Sequence, residues 1–120
     1  MLTILNSRTG ECLGARIALA ADDFARRTGL LDRECLEPGE GLLIVPGSAI
    51  HTVGMRFPIA VAFLKGNEIL ECWNVEPGRS RVGCSDANAV LELPCGTLDR
   101  SRPGDRLVAG VGLEPTISRL

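Results

Sequence analysis

Hydrophobic and polar residues alternate along much of this chain with the two-residue period of a half-buried strand. The clearest case is Cys12 to Leu19, where Leu13, Ala15, Ile17 and Leu19 alternate with Gly14, Arg16 and Ala18. A shorter strand over Thr3 to Leu5 precedes it. Asn6-Ser7-Arg8-Thr9-Gly10 between the two is turn chemistry, so the chain is predicted to open with a hairpin. Leu42 to Val45 predicts a short buried strand between Glu37-Pro38-Gly39-Glu40-Gly41 and Pro46-Gly47. Ile59 to Leu64 is almost continuously apolar. Gly66-Asn67 is a hairpin turn leading into Glu68 to Val75, where Ile69, Glu71 and Trp73 are expected on one face and Leu70, Cys72 and Asn74 on the other. Ala87 to Leu93 is a further strand, broken by Pro94-Cys95-Gly96. Arg102-Pro103-Gly104-Asp105 turns the chain into a last strand, Arg106 to Ala109.

One segment departs from this period. Asp22 or Asp23 is placed to N-cap a short helix through Phe24, Ala25, Arg26 and Arg27, with Gly29 as its stop. Leu30 and Leu31 are then expected to dock inward. Repeated βα units are absent, which excludes a doubly wound α/β fold. The pattern predicts a mainly β (α+β) domain, a small barrel-like or sandwich arrangement of short antiparallel strands with one or two short helices. Residues 1–109 are read as a single β-rich domain, and 110–120, which has no periodicity, as a loose C-terminal tail.

The chain has 120 residues and a formal net charge of −2, from 13 basic and 15 acidic side chains. That near balance, with three Phe, one Trp and no Tyr, argues against a general binder of nucleic-acid backbones or stacked bases. No apolar run is long enough for a membrane span. No signal-like segment opens the chain, so a cytoplasmic location is expected. The five cysteines (Cys12, Cys35, Cys72, Cys84 and Cys95) are scattered and form no C-x-x-C pair. They read as reduced thiols rather than a disulfide framework or a metal site. Neither a phosphate-binding glycine loop nor a nucleophile elbow occurs, and no cofactor is implied.

The richest chemistry lies in His51-Thr52-Val53-Gly54-Met55-Arg56-Phe57-Pro58, which holds the only histidine. Histidine is the side chain whose unperturbed pKa suits proton transfer near neutrality, yet no nucleophile or second acid is marked beside His51. Asp86, Glu92 and Asp105 are candidate carboxylates, none marked as a catalytic pair; Asp105 is accounted for by its turn. Glu92 is expected to face away from Leu91 and Leu93; the alternative is burial against an arginine such as Arg26. Arg79 and Arg81 sit in a second loop, 76–83. If that loop folds beside 51–58, guanidinium groups converge on a carboxylate or phosphate. Otherwise they are surface charges paired with Glu68, Glu71 or Glu76. The binding candidates are His51, Thr52, Met55, Arg56 and Arg79.

Four blocks in order resemble the bacterial and archaeal domain of unknown function 192. They are Arg26-Arg27-Thr28-Gly29-Leu30-Leu31-Asp32-Arg33, Gly41-Leu42-Leu43-Ile44, His51 to Ile59, and Ala89 to Gly96 with Pro103-Gly104-Asp105 beyond. The resemblance implies a compact β-rich domain and no particular reaction. One position departs from it: Ala60 stands where the family pattern has Asp. If that carboxylate carried catalysis or bound a metal, the function is lost here. If it only paired with an arginine, Arg56 or Arg79 is freer to meet an external anion. The reading that follows is a non-enzymatic binding or accessory module, using loops 51–58 and 76–83 for a small anionic ligand or a protein segment. The alternatives are an enzyme with His51 as general acid or base, and a purely structural role for these residues.

Overall fold

The computed structural model describes residues 1–20, 30–31 and 33–111, with Val111 described by its backbone alone. The helix expected from Asp22 to Gly29 and the tail beyond Val111 lie outside the described residues. The strands are β1 (Leu2–Asn6), β2 (Cys12–Ala20), β3 (Glu40–Ile44), β4 (Ala49–Ile50), β5 (Ile59–Lys65), β6 (Glu68–Val75), β7 (Val82–Gly83), β8 (Ala89–Pro94) and β9 (Leu107–Val111). Among the described residues no helix is long and apolar enough to cross a membrane.

Seven strands form one curled sheet in the order β6-β5-β8-β3-β2-β1-β9, while β4 and β7 pair with each other as a separate ribbon. The sheet is mixed, not purely antiparallel, because β2 and β3 run parallel from Arg16↔Glu40 to Ala20↔Ile44. A parallel neighbour needs a long crossover, and residues 21–39 supply it. The last strand extends to Val111, so pairing with β1 (Leu2↔Val111) carries the ordered ladder past Ala109.

The sheet has two apolar faces. On the inner, concave side Ile4, Leu13, Ile17, Ala62, Leu91 and Leu93 pack together. On the outer side Ile44, Val61, Phe63 and Val90 are covered by Leu30, Leu36, Met55 and Phe57 from the connections. Strand β5 is buried on both faces apart from Lys65, which explains its unbroken apolar run. Leu30 is buried and Leu31 packs at the edge of the outer cluster, as expected. Leu19 is 66% exposed although it continues the alternation of β2.

The expected faces of β6 are corrected by a bulge. Phe63 pairs with Glu71 but Leu64 pairs with Ile69, so Leu70 is the extra residue and the phase flips there. Ile69 and Cys72 therefore share the inner face. Trp73 is opposite Val61 on the outer face, and its ring lies 5.8 Å from that of Phe63.

The curled sheet closes where its edge strands meet. Glu68 bridges Arg106, the Leu107 N–H donates to the Asn67 carbonyl at 2.8 Å, and the Ile69 N–H donates to the Asp105 carbonyl at 2.8 Å. Asp105 is buried at this seam, which its turn position alone did not signal. Its carboxylate accepts from Arg8 Nε at 2.6 Å, from Asn6 Nδ2 at 2.9 Å and from the Arg102 N–H at 3.0 Å. The Arg8 guanidinium, followed by the Asn6 and Arg102 donors, holds the Asp105 carboxyl far below the usual carboxylate range against the cost of burial.

Two predictions follow from this packing. A Cβ on Gly41 would stand 2.7 Å from Leu93 Cδ2 and 2.8 Å from the Glu92 carbonyl oxygen. Gly41→Ala therefore costs about 1–3 kcal/mol by overpacking, seen as a lower melting temperature with an unchanged fold by circular dichroism. The second concerns acid. A depressed folded pKa makes the Asp105 contribution complete above the usual carboxylate range and lost as pH falls through it, between about pH 5 and 2. Asp105→Asn is expected to melt lower at neutral pH and to show a flatter acid limb than the unmodified chain.

Candidate functional site

Loops 51–58 and 76–83 fold against each other. The ribbon sets this up: Ala49 pairs with Gly83 and Ile50 with Val82, so the next positions along it are His51 and Arg81. Two-residue strands carry little sequence signal, and the β4–β7 pairing had none that separated it from the surrounding loops. Beyond the ribbon, Thr52 joins the loops through both its backbone and its side chain. Its N–H donates to the Arg79 carbonyl at 2.8 Å, and its carbonyl accepts from the N–H groups of Gly78 at 2.9 Å and Met55 at 3.1 Å. Its hydroxyl donates to the Glu76 carbonyl at 2.7 Å and accepts from the Arg79 N–H at 2.9 Å. Gly54, with φ +88°, takes the left-handed position of the tight turn between Thr52 and Met55.

The five candidates divide by depth. Thr52 is fully buried, and its hydroxyl is committed to two backbone partners. Met55 is buried in the outer core with Phe57, so it anchors the loop from below. His51 is half-buried, while Arg56, Arg79 and Arg81 are exposed. Arg56 meets Glu34 at 3.8 Å, with both side chains largely in solvent. Such a pair contributes ~0–1 kcal/mol. Among the described residues Arg79 and Arg81 make no ion pair, and Glu68 is instead engaged by Arg106 at 3.5 Å. Loop packing thus presents His51, Arg56, Arg79 and Arg81 at the surface and keeps Thr52 and Met55 as support.

Two sequence readings change. Ala60 is fully buried in the inner cluster, whereas the two loops sit over the outer one. A carboxylate at position 60 would point away from Arg56 and Arg79, so its absence does not free either arginine. Glu92 does face away from Leu91 and Leu93, since it pairs across with Leu42 and Val61 of the outer face, and it is fully buried there. Arg26, the partner in the alternative reading, lies outside the described residues. No group of three or more His, Cys, Asp or Glu among the described residues is placed to hold a metal ion.

The model of the DUF192 family, an uncharacterized ACR, matches residues 4–109. The chain belongs to the DUF192 family. Two solved structures share its fold. One is a candidate transcription regulator from Sinorhizobium meliloti 1021, 24% identical, with a TM-score of 0.72 over 88% of this chain and 89% of that one. Another is a protein of unknown function from Novosphingobium aromaticivorans DSM 12444, 20% identical, with a TM-score of 0.73 over 88% of this chain and 81% of that one. No curated protein matches the chain. For this DUF192 member, identities this low establish the shared fold and leave the site to be argued from its own residues.

Thr52→Val tests the join between the loops. The substitution keeps the shape but leaves the Glu76 carbonyl and the Arg79 N–H without their hydroxyl partner. The expected loss is about 1–3 kcal/mol in urea unfolding, with faster hydrogen exchange at the Arg79 amide.

Proposed function

We propose that this protein is a non-enzymatic binding module that recognises an acidic group, on a small ligand or on a protein segment, at the joined loops 51–58 and 76–83. The carrying observation is the Thr52 hydroxyl between the Glu76 carbonyl and the Arg79 N–H. It fixes the backbone from which Arg79 is presented and brings that loop beside His51. Guanidinium groups on a fixed backbone lose less freedom when they grip a carboxylate or phosphate oxygen, which favours binding. The exposed Arg56 lies on the other of the two joined loops and supplies a second guanidinium, and the half-buried His51 stands at the root of that loop. Thr52 is unsuited to nucleophilic chemistry because its hydroxyl proton and its oxygen are both committed within the fold, which supports binding over catalysis.

The regulator description of the Sinorhizobium meliloti protein belongs to that protein. Here the net charge of −2 and the small number of cations on these loops support a compact acidic ligand over a nucleic-acid backbone. The five free cysteines support a cytoplasmic location, where thiols stay reduced.

The test is titration of the unmodified chain with inorganic phosphate, with citrate and with a short glutamate-rich peptide, repeated on Arg79→Ala and Arg56→Ala. Saturable binding of at least one probe is expected. Arg79→Ala should weaken it about tenfold and Arg56→Ala by less, since Arg56 already meets Glu34; rising salt should weaken binding too. The reading fails if no probe saturates, or if binding persists unchanged when both arginines are removed.

A further inference from the structure

The inner face of the sheet holds a feature that loop recognition does not use. At one end of the half-barrel lies an open cavity of about 460 Å³, lined by Ile4, Leu43, Leu64, Ala89, Leu107 and Ala109. Its origin is local. Elsewhere the concave side is filled by long side chains, among them Leu13, Ile17, Leu91 and Leu93. At this end Ala89 and Ala109 take lining positions, and among the described residues β9 pairs only with β1 beyond the Glu68–Arg106 seam. Short side chains and the end of the seam at Asn67–Leu107 leave this space open among the described residues.

We propose that this cavity is a binding site for a small apolar molecule, an alkyl or acyl chain of medium length with a hydrogen-bonding head. Its size falls within the ~300–1,000 Å³ of small-molecule sites, and the mouth of a β-barrel is a recurrent place for one. Among the described residues no charged side chain lines it, so water gains few hydrogen bonds from that lining and an apolar guest displaces it at little cost. The apolar surface continues outward: Val45 at the rim is 43% exposed, and Leu19 opposite Leu43 is 66% exposed. A chain longer than the cavity therefore keeps apolar contact as it leaves.

The polar groups stand at the edge. Asn67 is committed to the seam, donating to the Leu107 carbonyl at 3.2 Å and accepting from Arg106 at 3.2 Å. Asn88 accepts the Gly66 N–H through Oδ1 at 3.1 Å. That leaves its NH₂ to donate to a carbonyl, carboxylate or hydroxyl oxygen of the guest. One such donor beside an apolar lining is the usual division between affinity and orientation.

This site and the loop site lie on opposite faces of one sheet, so each is tested without the other. The probes are octanoate and 1-octanol, titrated into the full chain and followed by amide chemical shifts. Both are expected to saturate, with shifts concentrated at Leu64 to Asn67, Asn88 and Leu107 to Ala109. Ala109→Phe, which fills the mouth from an exposed position, and Val45→Asp, which charges the rim, should each weaken both probes at least tenfold. Arg79→Ala should leave them unchanged. Absence of saturation up to millimolar probe overturns the proposal. So do shifts confined to the outer face, or binding that neither Ala109→Phe nor Val45→Asp alters.

Discussion

Burial of the central strands on both faces is the constraint on which the rest of the molecule depends. β5 and β8 lie side by side in the sheet, and their residues are almost all removed from water. A strand with apolar side chains on both faces must be covered twice. The sheet supplies one cover by curling, which places Ala62, Leu64, Leu91 and Leu93 in a shared interior. It cannot supply the other. The cover for Val61, Phe63 and Val90 comes from connections, including Leu36, Ile50, Met55, Phe57 and Val82. At roughly 25 cal/mol per Å² of apolar surface, such burial dominates the stability of a domain this small. The loops richest in chemistry are thus also the second half of the hydrophobic core.

That double duty explains the division within His51 to Pro58. Alternate residues of the loop point down as anchors, Met55 and Phe57, while Arg56 between them points to solvent. The backbone crossing a hydrophobic face needs its own hydrogen bonds met. Thr52 meets them locally, the left-handed Gly54 permitting the turn that brings the Met55 N–H to its carbonyl, and the β4–β7 ribbon meets them at the root. Polar residues in this segment therefore serve two ends: the buried Thr52 fixes the crossing, and the exposed Arg56 meets Glu34 only in a solvated pair.

Much of this was legible in the sequence because strand period and turn chemistry are local. The alternation from Cys12 to Leu19, the apolar run from Ile59 and the Gly66-Asn67 turn each depend on a few neighbours. What depended on distant partners was not legible. The β6 phase flips at Leu70 because one extra residue opposes the Phe63–Leu64 step, and nothing in the alternation marks it. The parallel run of β2 beside β3 pairs two segments far apart in the chain, which no local period encodes. Asp105 shows the same limit from the other side. Its Pro103-Gly104 context predicts a turn, and the turn is there, but its burial follows from Arg8 and Asn6 arriving from the far end of the chain. The arginines of loops 51–58 and 76–83 could be named from sequence, yet the joining of the two loops needed the Thr52 hydroxyl and the ribbon.

The two proposed sites are joined by the chain that separates them. Val45 and Pro46 line the cavity rim, and three residues later the same segment enters β4 and then His51. Asn88 at the rim follows β7 by the same route, and the two routes are tied by Gly47 N–H to the Asn88 carbonyl at 3.1 Å and Cys84 N–H to the Ser48 carbonyl at 2.9 Å. These hydrogen bonds fix the root of the ribbon to the edge of the inner cavity. A single sheet with both faces covered leaves few places where a segment passes from one face to the other, and this is one of them. The physical route between the inner lumen and the outer loops is therefore short and made of backbone, and it depends on strand ends rather than on any side chain of either site.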